Sequence, residues 1–179
     1  MRASGVRYGI INRMIRTGRH FLQIPGPTNI PDRVLRAIGR PIIDHRGAEF
    51  AKLATEVLEG LRSIFQTSSI LVMYPASGTG AWEAALVNTL SPGDRVLVFE
   101  TGHFSQLWGQ LAQKMGFQVE CVPGSWRAGA ASAELESRLN SDKGHTIKAV
   151  LVVHNETSTG VTSGIAELRR VINRQNAHK

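Results

Sequence analysis

The stretch that most constrains this fold is a junction. Ile70-Leu71-Val72-Met73 runs into Tyr74-Pro75-Ala76-Ser77-Gly78-Thr79-Gly80, and Ala84-Ala85-Leu86-Val87 leads away at helical spacing. The pattern predicts a strand, a tight glycine loop and the start of a helix. Such a junction leaves backbone N–H groups unpaired at the positive end of a helix dipole, which suits a phosphate. The loop is not a Walker loop, because no glycine-lysine pair follows at the required spacing. Gly78 and Gly80 match the first two glycines of a dinucleotide fingerprint, and Glu100 falls where a ribose ligand would. Glu83, however, occupies the third small-residue position, where helix and strand must pack closely.

Further along, the same alternation repeats with little filler. Asp94–Phe99 reads as a strand, and His103–Met115 as a helix with Phe104, Leu107, Trp108, Leu111 and Met115 on one side. Phe117–Val122 is a strand, Ala133–Leu139 a short helix, Ile147–His154 an apolar strand, and Ile165–Asn173 a last helix. Upstream, Pro31 suits a first helical position, and Phe50, Leu53, Val57, Leu58, Leu61, Ile64 and Phe65 mark a longer helix. Alternating strands and helices imply an α/β chain with a mostly parallel sheet and helices on its faces. Ligands of such sheets bind beyond the carboxyl ends of the strands. The loops of interest are therefore Ser77–Gly80, Glu100–His103, Pro123–Arg127 and His154–Thr162.

Charge narrows the choice of partner. The chain of 179 residues carries a net charge of +7, from 21 basic and 14 acidic residues. Arg2, Arg7, Arg13, Arg16 and Arg19 stand in a first stretch without acids, which leaves 16 basic against 14 acidic groups elsewhere. The body is nearly neutral, so no nucleic-acid face is expected. Residues 1–19 read as a basic N-terminal arm or extension, with organelle targeting, dimer clasping or sequence upstream of the true start as its readings. No apolar run reaches the length of a membrane span. Cys121, the one cysteine, is expected to pack in the core, and a lone thiol fits a reducing, cytoplasmic setting.

Three places carry candidate chemistry beyond the glycine loop. Trp108 is either a core tryptophan or a platform for a flat ring, since aromatic stacking holds a ring without fixing its orientation. His154-Asn155-Glu156-Thr157-Ser158-Thr159-Gly160-Val161 places a run of hydrogen-bonding groups after the most apolar strand, more than an ordinary turn requires. Asp44-His45-Arg46 reads as an anion contact or a salt bridge. The six histidines and the acids show no metal-ligand spacing. Ser77 lies in no hydrolase elbow, because position 75 is proline.

Taken together and in this order, Pro25-Gly26-Pro27-Thr28-Asn29, Ser77-Gly78-Thr79-Gly80 and His154–Val161 resemble the class V pyridoxal-phosphate aminotransferases, above all their serine–glyoxylate group and its alanine–glyoxylate relatives. The likeness runs from about Gly18 to about Arg170. It implies the fold-type I architecture: a three-layer α/β/α large domain, of which residues 20–179 would be the N-terminal part, in a homodimer. It implies that Ser77, Gly78 and Thr79 hold the phosphate of pyridoxal 5'-phosphate, that Trp108 stacks on its pyridine ring, and that Thr157 hydrogen-bonds its phenolic oxygen. Gly26, Pro27 and Thr28 would line the pocket for the amino acid and 2-oxo acid substrates.

Such an enzyme also needs a lysine for the Schiff base and a carboxylate on the pyridine nitrogen. In the family both follow the Gly160 region. Lys52, Lys114, Lys143, Lys148 and Lys179 fit no such loop, and the run from Val171 to Lys179 departs from the family pattern. The expectation is therefore a truncated transaminase, inactive alone, with no catalytic residue assigned. A non-catalytic partner of a full-length homologue and a dinucleotide-binding module stand as alternatives.

Overall fold

The structure, a computed structural model, describes residues 21–176. They divide into two compact units, one up to Thr67 and one from Ser68 onward, each described by itself. The basic arm expected over residues 1–19, and Lys179, lie outside the described residues.

In the first unit, a loop carrying Pro25–Asn29 leads to α1 (Asp32–Ile38) and α2 (Ala48–Phe65). The Leu22 N–H donates to Asn29 Oδ1 at 2.7 Å, closing that loop on itself. Pro31 caps α1 from just outside instead of opening it. Asp44-His45-Arg46 is a turn: Asp44 Oδ1 accepts from the Arg46 N–H at 2.9 Å, and the Gly47 N–H donates to the Asp44 carbonyl at 3.0 Å. An aspartate that folds its carboxylate onto the backbone two residues on makes an Asx turn, a natural lead into a helix. The apolar stripe of α2 forms as expected, with Phe50, Leu53, Val57, Ile64 and Phe65 exposed.

The second unit is organised by β1 (Arg95–Phe99), the middle strand of a parallel sheet with β2 (Gln118–Val122) and β3 (Ile147–Leu151) on either side. Alternation along β1 builds two cores. Val96 and Val98 face Leu86 of α3 (Gly78–Thr89) and Ala112 of α4 (His103–Lys114). Leu97 and Phe99 face Leu135 of α5 (Ser132–Ser141) and Leu168 and Val171 of α6 (Ile165–Asn176). This is the expected three-layer α/β/α arrangement, and a strand covered on both faces explains the unbroken Val-Leu-Val-Phe run.

Four details differ from the sequence reading. Ile70–Tyr74 forms no strand among the described residues, and Ile70, Val72, Met73 and Tyr74 are exposed. A strand exists only through a neighbour's ladder, and no described segment pairs with this one. The face that α4 turns inward is Ser105, Gly109 and Ala112, while Phe104 and Leu107 stay partly exposed. A methyl placed on Gly109 would meet Val98 Cγ1 at 3.5 Å, so small residues let this helix lie close on the sheet. Cys121 is exposed, not core, because β2 is an outer strand of the sheet. Finally, α6, expected over Ile165–Asn173, runs on to Asn176, with Val171 buried in the second core.

Candidate functional site

Among neighbouring strands, β1 is followed by α4 on one face of the sheet and β3 leads to α6 on the other. Diverging connections open a crevice at the carboxyl ends of such a pair. Two segments meet there: the start of α4, and the loop after β3, which folds into a small antiparallel pair, β4 (Asn155–Glu156) and β5 (Val161–Thr162).

The start of α4 has no capping side chain of its own, because its N-cap is Gly102. A helix beginning leaves its first N–H groups without internal partners. Here the loop supplies them. The His103 N–H donates to Ser158 Oγ at 2.9 Å, the Phe104 N–H to Glu156 Oε1 at 3.2 Å and the Ser105 N–H to Glu156 Oε2 at 3.1 Å. Glu156 Oε1 also accepts from the Ser158 hydroxyl at 2.7 Å and the Ser158 N–H at 3.2 Å. From the helix side, Ser105 Oγ accepts from the N–H groups of Thr101 and Gly102.

Glu156 is 1% exposed and faces no basic side chain within ion-pair distance among the described residues. Burial alone would push its carboxyl pKa up. Hydrogen bonds from the Ser158 hydroxyl and from the Ser105, Ser158 and Phe104 N–H groups outweigh burial and hold it below the usual value. The anion thus rests on the positive end of α4, the arrangement a helix dipole favours.

The start of α3 is different. Ser77 caps it, its Oγ accepting from the Thr79 N–H at 3.3 Å, and Tyr74 braces the turn by donating to the Gly80 carbonyl at 2.8 Å. Ser77, Gly78 and Thr79 are all exposed, and a methyl on Gly78 would touch nothing within 4 Å. No side chain of the described residues fills this helix start as Glu156 fills the other.

Trp82, one turn into α3, ties the two helix starts together. Its ring stacks on Trp108 at 5.4 Å between centroids and 11° between planes, and meets Phe104 edge-on at 6.3 Å. Trp108 is therefore half-buried and part of an indole pair. Its Nε1, like Thr101 Oγ1, is buried without a hydrogen-bond partner among the described residues. Thr157 stands between the two pinned residues Glu156 and Ser158, exposed and with no side-chain hydrogen bond among the described residues.

The structure thus brings the α3 start, Trp108 and Thr157 onto connected elements of one unit. Gly26, Pro27 and Thr28 are exposed and belong to the first unit. Glu100, weighed as a ribose ligand, accepts instead from Trp126 Nε1 at 2.8 Å and Gln106 Nε2 at 3.1 Å. Sequence reasoning missed Trp82 and the role of Glu156. The glycine at the α4 N-cap was the available signal, since that helix start had to find its acceptors elsewhere.

The donor set fits pyridoxal phosphate in kind: exposed hydroxyls and the start of a helix for a phosphate, aromatic rings one turn on, and the exposed Thr157 hydroxyl for a ring oxygen. Of the described lysines in this unit, Lys114 ends α4, Lys143 precedes β3 and Lys148 lies within it, its Nζ donating to the His145 carbonyl at 3.1 Å. All three sit at the end of the sheet where strands begin, away from the crevice.

The family model for class V aminotransferases matches residues 20–178. The chain is 48% identical over 158 residues to a serine–glyoxylate aminotransferase of Methylorubrum extorquens, an alignment covering 88% of this chain and 39% of that protein. It is 43% identical over 157 residues to an L-aspartate–glyoxylate aminotransferase of Paracoccus denitrificans, covering 87% and 40%. Among solved structures, a subgroup IV aspartate aminotransferase from Thermus thermophilus superposes with a TM-score of 0.79 at 28% identity, over 88% of this chain and 43% of that one. The chain spans about two fifths of the length of the curated relatives it matches.

Proposed function

The chain belongs to the class V aminotransferase family, and from that premise we propose that its second unit is the cofactor-holding part of a glyoxylate-type transaminase. The cofactor of this family is pyridoxal phosphate. Its bound ring supplies the electron sink that amino-group transfer requires. The observation that carries the reading is the exposed start of α3, one turn ahead of an aromatic cluster of Trp82, Trp108 and Phe104.

In this reading the Ser77 hydroxyl and the Gly78 and Thr79 N–H groups hold the phosphate at the start of α3. The Trp108 indole holds the ring flat, and the Thr157 hydroxyl donates to its phenolic oxygen. Gly26, Pro27 and Thr28 line the pocket for the amino donor and the 2-oxo acid acceptor. Serine or alanine as donor and glyoxylate as acceptor follow from the resemblance, and the aspartate-specific relative widens the set of donors to test. The working protein is a cytoplasmic homodimer. None of Lys114, Lys143 and Lys148 is taken as the anchor of the cofactor, since each lies at the far end of the sheet. Residues 1–179 alone are accordingly proposed to bind cofactor without transaminating.

The test is a titration of the 179-residue protein with pyridoxal phosphate, followed by quenching of tryptophan fluorescence, with inorganic phosphate as the comparison. Pyridoxal phosphate should bind more tightly than phosphate, and Trp108→Leu should abolish that preference. Serine and glyoxylate should yield no hydroxypyruvate. Equal binding of the two ligands, or turnover by the purified chain, would refute the corresponding part.

A further inference from the structure

The start of α5 lies on the face of the sheet opposite α3 and α4, and it lacks a cap of its own. Ala131, its N-cap, has the extended backbone of a capping residue, φ −81° and ψ 123°, but no side-chain oxygen. A serine or aspartate there would take the N–H of the second or third helical residue. With alanine, the Ser132, Ala133 and Glu134 N–H groups have no acceptor among the described residues.

That helix start borders a recess of about 410 Å³. Phe99 and Val122, the last residues of β1 and β2, form its apolar floor, and Ala131, Glu134 and Arg138, on one face of α5, form a wall. Thr101 lines it as well. This threonine is 2% exposed, and its Oγ1 is buried without a hydrogen-bond partner among the described residues. Buried hydroxyls are nearly always paired, so an orphan beside an open space calls for a partner from within that space. We propose that the recess binds a small monocarboxylate. Its oxygens take the first N–H groups of α5, its short apolar part lies on Phe99 and Val122, and the Thr101 hydroxyl donates to it. The site does not rest on the cofactor reading, whose phosphate is assigned to the start of α3.

Charge around the recess suits one negative group and not two. Arg138 donates Nε to Glu134 and Nη1 to Glu120, both at 2.7 Å, and Arg95 pairs with Glu120 too. Two guanidinium groups thus offset two carboxylates, which leaves the partial positive charge of the helix start as the attraction. A single carboxylate matches it. A dianion with no apolar part would meet Glu134 and leave the floor uncovered. The loop beside the recess is firmly held, so the space is preformed: Trp126 donates Nε1 to Glu100 at 2.8 Å, and a methyl on Gly129 would lie 2.6 Å from the Thr162 carbonyl oxygen.

The experiment follows the backbone amides of the 179-residue protein by heteronuclear NMR during titration with propionate, propionamide and inorganic phosphate. Propionate should shift Thr101, Ser132 and Ala133 saturably, and the uncharged amide should bind about tenfold more weakly. Thr101→Val keeps the shape and removes the orphan hydroxyl. It should weaken propionate by about fivefold without lowering the melting point. Ala131→Asp supplies the missing cap, which should abolish propionate binding and raise the melting point. No saturable shift at the start of α5 would overturn the proposal, as would full propionate affinity in Ala131→Asp. Phosphate or propionamide binding there as tightly as propionate would overturn the assignment of a monocarboxylate. Propionate shifts confined to Ser77–Thr79 would place the anion at the other helix start and equally overturn it.

Discussion

Replacing Gly102 by alanine should destabilise the second unit, whereas replacing Gly109, seven residues on, should stabilise it. At Gly102 the new methyl would collide with Glu156 Cγ and lie 2.6 Å from both Glu156 Cδ and Ser158 Oγ. Glu156 has nowhere to withdraw, being 1% exposed and fixed by hydrogen bonds from Phe104, Ser105 and Ser158. If the methyl is forced in, overpacking costs about 1–3 kcal/mol. If the carboxylate is expelled instead, hydrogen bonds to a charged group worth about 1.5–3 kcal/mol each are exchanged for water. Expulsion gives up several such bonds, so overpacking is the cheaper route and sets the loss at about 2 kcal/mol. At Gly109 the methyl meets Val98 Cγ1 at 3.5 Å, an ordinary contact. Alanine in a helix interior is favoured over glycine by about 0.5–1 kcal/mol. For domains of this size, 1 kcal/mol moves the melting point by about 2–8 °C. Thermal unfolding followed by far-ultraviolet circular dichroism should therefore place Gly102→Ala roughly 4–16 °C below the wild type and Gly109→Ala a few degrees above it. A Gly102→Ala protein that melts with the wild type would refute the packing of the loop against α4. A lower melting point for Gly109→Ala would refute the close but unstrained seating of the helix on the sheet.

Acid should act through two carboxylates. For Asp142, too, burial raises the pKa, but the Ile147 N–H, the Thr146 hydroxyl and N–H, and the Arg95 charge lower it further, so it shares the downward direction of Glu156. A carboxylate depressed in the folded state adds stability that is present above its unfolded value, about 4, and lost as pH falls through the lower folded value. Denaturant midpoints should hold above pH ~5 and drop below pH ~4, with a shallower drop in Glu156→Gln and in Asp142→Asn. Cys121 offers the opposite case: partial burial first, then the Glu100 charge and hydrogen bond at 3.7 Å, raise its thiol pKa. Although exposed, it should be alkylated by iodoacetamide more slowly than free cysteine near pH ~8, and Glu100→Gln should speed it.

The sheet was legible where burial is two-sided. Val96-Leu97-Val98-Phe99 needs apolar residues on both faces, so the run announces a central strand whatever surrounds it. Ile70–Tyr74 carries the same kind of run and yet forms no ladder among the described residues, because strand character belongs to a pair and one sequence shows only half of it. The inward face of α4 was misread for a related reason. Periodicity weights large apolar residues, and Phe104 and Leu107 outvoted Ser105, Gly109 and Ala112, although it is the small residues that let helix and sheet touch. Cys121 was assigned by residue type, whereas its exposure follows from the position of β2 at the outside of the sheet.

The site was legible by composition and obscure in its division of labour. Glycine at 78 and 80 and the hydroxyl-rich run after β3 marked both loops, but only the N-cap residue, Ser77 at one and Gly102 at the other, distinguishes the two helix starts locally. The distinction is electrostatic. Both α3 and α4 present N–H groups and a positive dipole end, and either could draw an anion. At α4 the chain fills that place with its own carboxylate, 52 residues away in sequence from Phe104. At α3 the Ser77 hydroxyl takes the Thr79 N–H, no carboxylate of the described residues fills the place, and Ser77, Gly78 and Thr79 stay exposed. A phosphate approaching this crevice therefore finds one open helix start and one occupied by like charge. In the proposed reading a phosphate would go to Ser77–Thr79, because the other helix start already holds a carboxylate.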